Sequence, residues 1–386
     1  MNEIRTERKL KKYIIRIFIL LIFTSSFYFL NYIYTLGSRN SRTIVLDKKS
    51  FVGTDGDEIN KKLQVGNVSS YDADYIIMEP KIAENNKIVF KTLSGNSYMG
   101  ISIFDMESKK NNTILAKYES NINNLYETND TNKVVYIEKS ESNGETRTYL
   151  QDIYTNRIDE IYEGALTSVL FIDDNRIVGI ADNSIIIIKE LNTGKVEKLM
   201  NFDDSTTNML YKNYKNTYNL FMSKDRKILY AIEQGLRKEN ETYLSIKAIN
   251  IDNKKITDLK IKGSVYNVIP LNDGNFIFSG SVEGNSGIFI YNMSNSTYKI
   301  LKSGNIYEVK LTKDEDKISY ISSDISSNNN EVHVALFDKD KIELDTMIYR
   351  NAQYGNEILW TNEGNNLFYI NSNNGKSRIY RFSINK

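Results

Sequence analysis

An all-β fold, a seven-bladed β-propeller of four-stranded blades preceded by one transmembrane helix, is what this sequence predicts. Three observations carry that reading: one phrase repeated seven times, period-two alternation inside each repeat, and a long apolar run behind a basic N-terminus. The phrase is a polar turn followed by a short β-branched or aromatic strand. Its versions are "AENNKIVFKT", "TNDTNKVVYIE", "IDDNRIVGIA", "SKDRKILYAIE", "LNDGNFIFSG", "TKDEDKISYIS" and "TNEGNNLFYIN". Taking the first apolar residue after each turn as an anchor gives Ile88, Val134, Ile177, Ile228, Phe276, Ile318 and Leu367, spaced 42 to 51 residues apart. Self-similarity at that period, with several strands per unit, is the signature of propeller blades.

Each unit divides into four strands. In the sixth, "YEVKLT" is the inner strand, "KISYIS" the second, "EVHVALFD" the third and "KIELDTMIY" the outer one. The alternation of Val332, Val334 and Leu336 with polar residues fits a strand buried on one face. Asn, Asp and Gly punctuate the strands, and no segment after the first anchor keeps a helical period. The seventh unit supplies only "EILW", "LFYI" and "RIYRFSI". Its missing outer strand is expected from the other end of the region: residues around 59–65 pair with 378–384 and close the ring. That pairing covers an edge that would otherwise invite aggregation. A β-sandwich lacks such a regular unit, and solenoid coils are shorter.

The N-terminal stretch has no charged residue from 17 to 38, and Arg5, Arg8, Lys9, Lys11, Lys12 and Arg16 crowd its N-terminal side. At about 1.5 Å per residue such a helix crosses the ~30 Å hydrocarbon core. The basic excess keeps the first residues in the cytoplasm and places the remainder outside. The run is long and lacks a small-x-small cleavage site, which favours an uncleaved anchor over a signal peptide. The expected organisation is a basic tail at 1–12, a signal-anchor helix in the lipid bilayer at 13–38, a linker at 39–56 and the propeller at 57–386.

Composition removes several chemistries. The formal net charge is +1, cysteine is absent, and His333 is the single histidine. Disulfides, thiol catalysis and Cys-ligated metal have no material, and a near-neutral extracytoplasmic chain is not expected to bind nucleic acid. No Gly-x-Ser-x-Gly elbow, Walker loop or Rossmann fingerprint occurs. "GNSYMG" at 95–100 is one residue too long for the elbow. "TDGDE" at 54–58 and "FDDSTTN" at 202–208 do not fit a calcium loop. The reading is therefore of no catalytic residue, no cofactor and no metal. His333 is expected at the surface or a blade interface. Glu308 and Glu357, equivalent inner-strand positions on adjacent blades, are expected near each other at the channel.

"WTNEGNNLFYINS…RIYRFSI" resembles the repeat of TolB-like and dipeptidyl-peptidase-type (WD40-like) propellers. Trp360, Glu363, Gly364, Leu367, Phe368, Ile379 and Tyr380 occupy the matching places, and Asp225, Lys227, Asp273, Gly274, Asp316 and Lys317 echo the turn elsewhere. Only one Trp is present, and no turn keeps the Pro. The resemblance implies a binding or scaffolding module of the cell envelope, and it covers most of 57–386.

Loops that join an outer strand to the next inner strand gather at one mouth of a propeller. The longest, at 202–218, carries Tyr211, Tyr214 and Tyr218, while Tyr266, Tyr307 and Tyr354 recur at comparable places. A tyrosine-rich rim suits recognition of a peptide or glycan, since each ring offers apolar area and a hydroxyl. The expected function is non-catalytic binding of an envelope protein or wall polymer at the mouth. The alternatives are a propeller hydrolase or lyase that uses channel carboxylates on envelope glycans, and a structural or sensory membrane-complex subunit.

Overall fold

In the computed structural model, the described residues are 24–26 and 63–385, apart from 85–86, 95–97, 118–119, 129, 141, 183, 202–218, 237–241, 260, 325–328, 353–356 and 374. Seven four-stranded antiparallel sheets follow one another around a ring. Their inner strands are Ile76–Ile82, Ser120–Glu127, Leu166–Phe171, Leu220–Met222, Gly263–Pro270, Asn305–Leu311 and Glu357–Trp360, for blades 1 to 7 in that order. Each of these strands lies against the next, and the seventh lies against the first. The inner strands therefore form the wall of a central channel.

The sequence alternates because each blade is sandwiched between two others. Seven hydrophobic clusters result, one at each blade junction. Ile88, Ile177, Phe276, Ile318 and Leu367 are fully buried in them. The fourth anchor is displaced by one: Leu229, not Ile228, is fully buried. The turn matches that of blade 6, with the Ser223 N–H reaching the Ile228 carbonyl as that of Thr312 reaches Lys317, so Ile228 fills the place before the anchor and Leu229 the anchor itself. Asp and Asn in the turns satisfy the backbone locally, as where Asp173 Oδ1 accepts from the N–H groups of Asn175 and Arg176. Gly263 and Gly280 lie on the two paired strands of blade 5, opposite Val282 and Val265, and a Cβ on Gly263 would lie 2.0 Å from the Ser281 carbonyl oxygen.

Blade 7 is completed from the other end of the domain. Gln64–Ala73 pairs antiparallel with Lys376–Asn385, from Gln64 opposite Asn385 to Ala73 opposite Ser377. The closure expected from the repeats is present, but its strand lies later than 59–65. Val65 and Val68 pack on the blade 6–7 cluster, so the apolar residues of this segment set the register. Asp72 receives Arg378, and Lys376 Nζ lies 2.6 Å from Asp74 Oδ1. These exposed pairs add little beside the buried apolar residues.

Of the expected membrane span at 13–38, only Thr24, Ser25 and Ser26 are described, as a helical turn; the remainder lies outside the described residues. Among the described residues no helix is long and apolar enough to cross a membrane.

Candidate functional site

The inner strands share one polar position. Counted back from the turn that ends each strand, Glu79, Asn124, Ser168, Asn219, Asn267, Glu308 and Glu357 are equivalent, one per blade. The residue after each is apolar and buried: Pro80, Leu125, Val169, Leu220, Val268, Val309 and Ile358. The apolar residue fills the blade junction while its polar neighbour stays at the channel wall. We refer to these seven polar residues as the collar.

Three collar side chains join one blade to the next through the main chain. Glu79 Oε2 accepts from the Leu125 N–H at 2.5 Å, and Ser168 Oγ accepts from the Leu220 N–H at 2.8 Å. Asn267 Nδ2 donates to the Val309 carbonyl at 3.1 Å. All three partners belong to the buried residue just after the collar position of the following blade. Glu79 and Ser168 adopt left-handed φ angles of 51° and 52° at irregularities in their strands. Such bulges re-aim a side chain.

Among the described residues Glu357 makes no such link, and at its junction the N–H is missing for a covalent reason. Its counterpart on the following blade is Pro80, one of only two prolines in the chain, which has no N–H to donate. Among the described residues Glu357 makes no ion pair within 4.0 Å. The charges that reach it are those of its neighbours, where blades 1 and 6 each carry Glu-x-Lys: Glu79 with Lys81, and Glu308 with Lys310. Burial pushes the Glu357 carboxyl above its ordinary range; Lys81 and Lys310 pull it down, and Glu308 and Glu79 push it further up.

Two of the neighbouring carboxylates are already neutralised. Glu308 pairs with Lys310 at 3.2 Å, and Glu79 pairs with Lys91 at 3.0 Å. The Lys91 side chain is only 4% exposed and stands on the second strand where blades 6 and 7 have Ile321 and Ile370. A buried ammonium persists only beside a carboxylate, so Lys91 is tied to the collar. Burial also raises the Tyr126 hydroxyl, with Glu79 adding to the effect. What is left is one ammonium, Lys81, and one carboxyl, Glu357, with no ion pair to either among the described residues. An open site of opposite charges can hold a ligand or move a proton.

The sequence reading is met in part. Glu308 and Glu357 do come together at the channel wall, and Glu79 and the lysines, which were not singled out, join them. The paired "MEPK" and "YEVK" at the same place in two repeats were the available signal. Tyr211, Tyr214, Tyr218 and Tyr354 lie outside the described residues. Tyr266 and Tyr307 each stand immediately before the collar residue of their blade, on the inner strand instead of in a rim loop. Tyr266 is 48% exposed, whereas Tyr307 packs against the blade 6–7 cluster.

His333 sits at the blade 5–6 junction, its ring stacked on Tyr320 at 4.9 Å. Its Nδ1 is 3.1 Å from Asp345 Oδ1, and Asp345 Oδ2 accepts from Lys302 of blade 5 at 2.5 Å. Burial raises the Asp345 carboxyl, but hydrogen bonds from His333, Lys302 and Tyr320 outweigh it and hold the group well below the usual carboxylate range. This cluster is closed on itself. The acidic stretches at 54–58 and 202–208 lie outside the described residues, and among those described no group of three or more His, Cys, Asp or Glu side chains is arranged to hold a metal. Perimeter clefts of about 350 Å³ between blades 1 and 2 and about 280 Å³ between blades 3 and 4 present scattered polar residues of both signs.

Solved structures share this architecture. A prolyl endopeptidase matches with a TM-score of 0.55 and 13% identity, over 81% of this chain and 50% of that one. The β-propeller domain of Cps50 (Swd1) from Myceliophteria thermophila matches at 0.52 and 9%, over 81% and 98%. TolB from Acinetobacter baumannii matches at 0.47 and 12%, over 77% and 78%. What this chain shares with the first two is the fold. No family model matches the chain, and no curated protein sequence does. The propeller implied by the repeats is the architecture found.

Proposed function

We propose that the protein is a membrane-tethered β-propeller outside the cytoplasm, acting as a non-catalytic binding module for an envelope protein or wall polymer taken at the channel mouth. The tether is the apolar segment at 13–38, followed by a linker and the propeller from 57 onward. The observation that supports binding is the open pair of Lys81 and Glu357 in a wall whose other acidic members are engaged. Exposed Tyr266 beside collar residue Asn267 supplies aromatic area at the same wall. The tyrosines at 211 and 214 extend that surface in the proposal. The test is affinity capture from native membranes after crosslinking, with captured species identified by mass. Capture of one stoichiometric partner, lost in Tyr211→Ala/Tyr214→Ala with the fold intact, supports the reading; capture that survives this change removes the loop tyrosines from it.

A second reading is favoured by Glu357 alone. A carboxyl raised by burial suits a general acid, as a hydrolase or lyase on envelope glycans would need. Turnover of saccharide substrates that disappears in Glu357→Gln would select this reading over binding.

A further inference from the structure

The Lys81–Glu357 pair has a definite chemical complement. Both residues lie on inner strands of adjacent blades, Ile76–Ile82 and Glu357–Trp360, that touch at the channel wall. They are close enough for the Lys81 charge to act on Glu357, yet among the described residues no ion pair within 4.0 Å joins them. Blades 1, 3 and 5 use the collar to link to the next blade, and at the junction of blades 7 and 1 Pro80 offers no N–H to engage Glu357. On the other side, the Glu79 carboxylate that could have met Lys81 is taken by Lys91 and by the Leu125 N–H. Two separate devices, a proline and a buried lysine, thus leave one anion and one cation open side by side.

We propose that Glu357 and Lys81 form a site for a zwitterionic α-amino acid group, with its ammonium on Glu357 and its carboxylate on Lys81. This rests on the channel wall being the binding surface. Because the two charges are not paired with each other, a ligand that carries both signs on one carbon can meet both. With Glu308 and Glu79 paired to lysines, a lone carboxylate on Lys81 would still face Glu357, and a lone amine on Glu357 would still face Lys81, so each alone meets repulsion. A zwitterion satisfies both sides at once. Its source is either a free amino acid or the same group at the end of a larger chain.

The test uses the full-length protein and four probes: glycine, γ-glutamylglycine, acetate and methylammonium. Binding is read by saturation-transfer NMR and by the shift in unfolding temperature. Glycine should bind about tenfold or more tightly than acetate or methylammonium, and both Glu357→Gln and Lys81→Gln should lose that preference. γ-Glutamylglycine binding as well as glycine assigns the site to a chain-borne group, and γ-glutamylglycine excluded while glycine binds assigns it to the free amino acid. Methylammonium or acetate binding as tightly as glycine overturns the proposal, as does no binding of any probe or unchanged binding by both variants. Partner capture by the Glu357→Gln protein is scored separately. Capture that persists while glycine fails to bind defeats this inference and leaves the binding-module reading standing.

Discussion

Replacing Pro80 with Ala gives the chain back an N–H at the one collar junction that lacks it. The Glu79–Leu125 and Ser168–Leu220 links show where that N–H would go: to the Glu357 carboxylate. A hydrogen bond to a charged group contributes about 1.5–3 kcal/mol. Two opposing terms accompany the substitution. Loss of the proline's restriction on the unfolded chain costs about 0.4–1 kcal/mol, and loss of two buried ring methylenes costs about 1.6 kcal/mol. The net change in Pro80→Ala alone is therefore near zero and uninformative. A double-mutant cycle with Glu357→Ala cancels both opposing terms, because neither depends on the side chain at 357. Urea unfolding of the four proteins should give a coupling of about 1.5–3 kcal/mol. Glu357→Ala should then be nearly silent beside the native Pro80 and costly in the Pro80→Ala background. Coupling within about 0.5 kcal/mol would mean that the 80–357 junction is not built like its neighbours, and the account of why Glu357 is open would fail.

Three further outcomes follow from the same structure. Phe382→Ala empties a fully buried site opposite Val68 in the closing strand and should cost about 3–5 kcal/mol in urea unfolding; a loss under about 1 kcal/mol would argue that this pairing does not hold the ring shut. Lys91→Met removes the 3.0 Å bond to Glu79 and should cost about 1.5–3 kcal/mol, with a neutral result showing that the collar does not need it. Glu357 is held above its ordinary range, so between the unfolded and folded values the native state binds more protons and wild-type stability falls as pH rises. Glu357→Gln lacks that fall and should gain on wild type with rising pH in a melting series; parallel curves would contradict the raised carboxyl.

The propeller was legible because its cause is local and repeated. Each turn-and-strand phrase carries its own alternation, and seven copies average out errors such as Ile228 taken for Leu229. Closure was legible too, since a blade short of one strand names what it lacks. Its register was not, because Val65 and Val68 find their place only against the blade 6–7 cluster. The collar was hidden for a different reason. One polar residue per repeat is invisible in a chain full of Asn, Lys and Glu, and becomes significant only when seven strands meet around one axis. Pro80 carries no signal in the sequence by itself; its missing N–H matters because Glu357, far along the chain, faces it. Tyr266 and Tyr307 show the same limit, since equal places in the repeat gave one exposed ring and one packed ring.

The most direct test of a ligand-taking channel wall is site-specific photocrosslinking in native membranes. A photoreactive residue is placed at Tyr266 on the wall and, separately, at Ile158 on the exposed perimeter of blade 2. The account predicts a discrete adduct from position 266, competed by glycine if the Lys81–Glu357 site is part of the same surface, and none from position 158. Adducts from 158 with none from 266 would place the binding surface on the blade edges and contradict it.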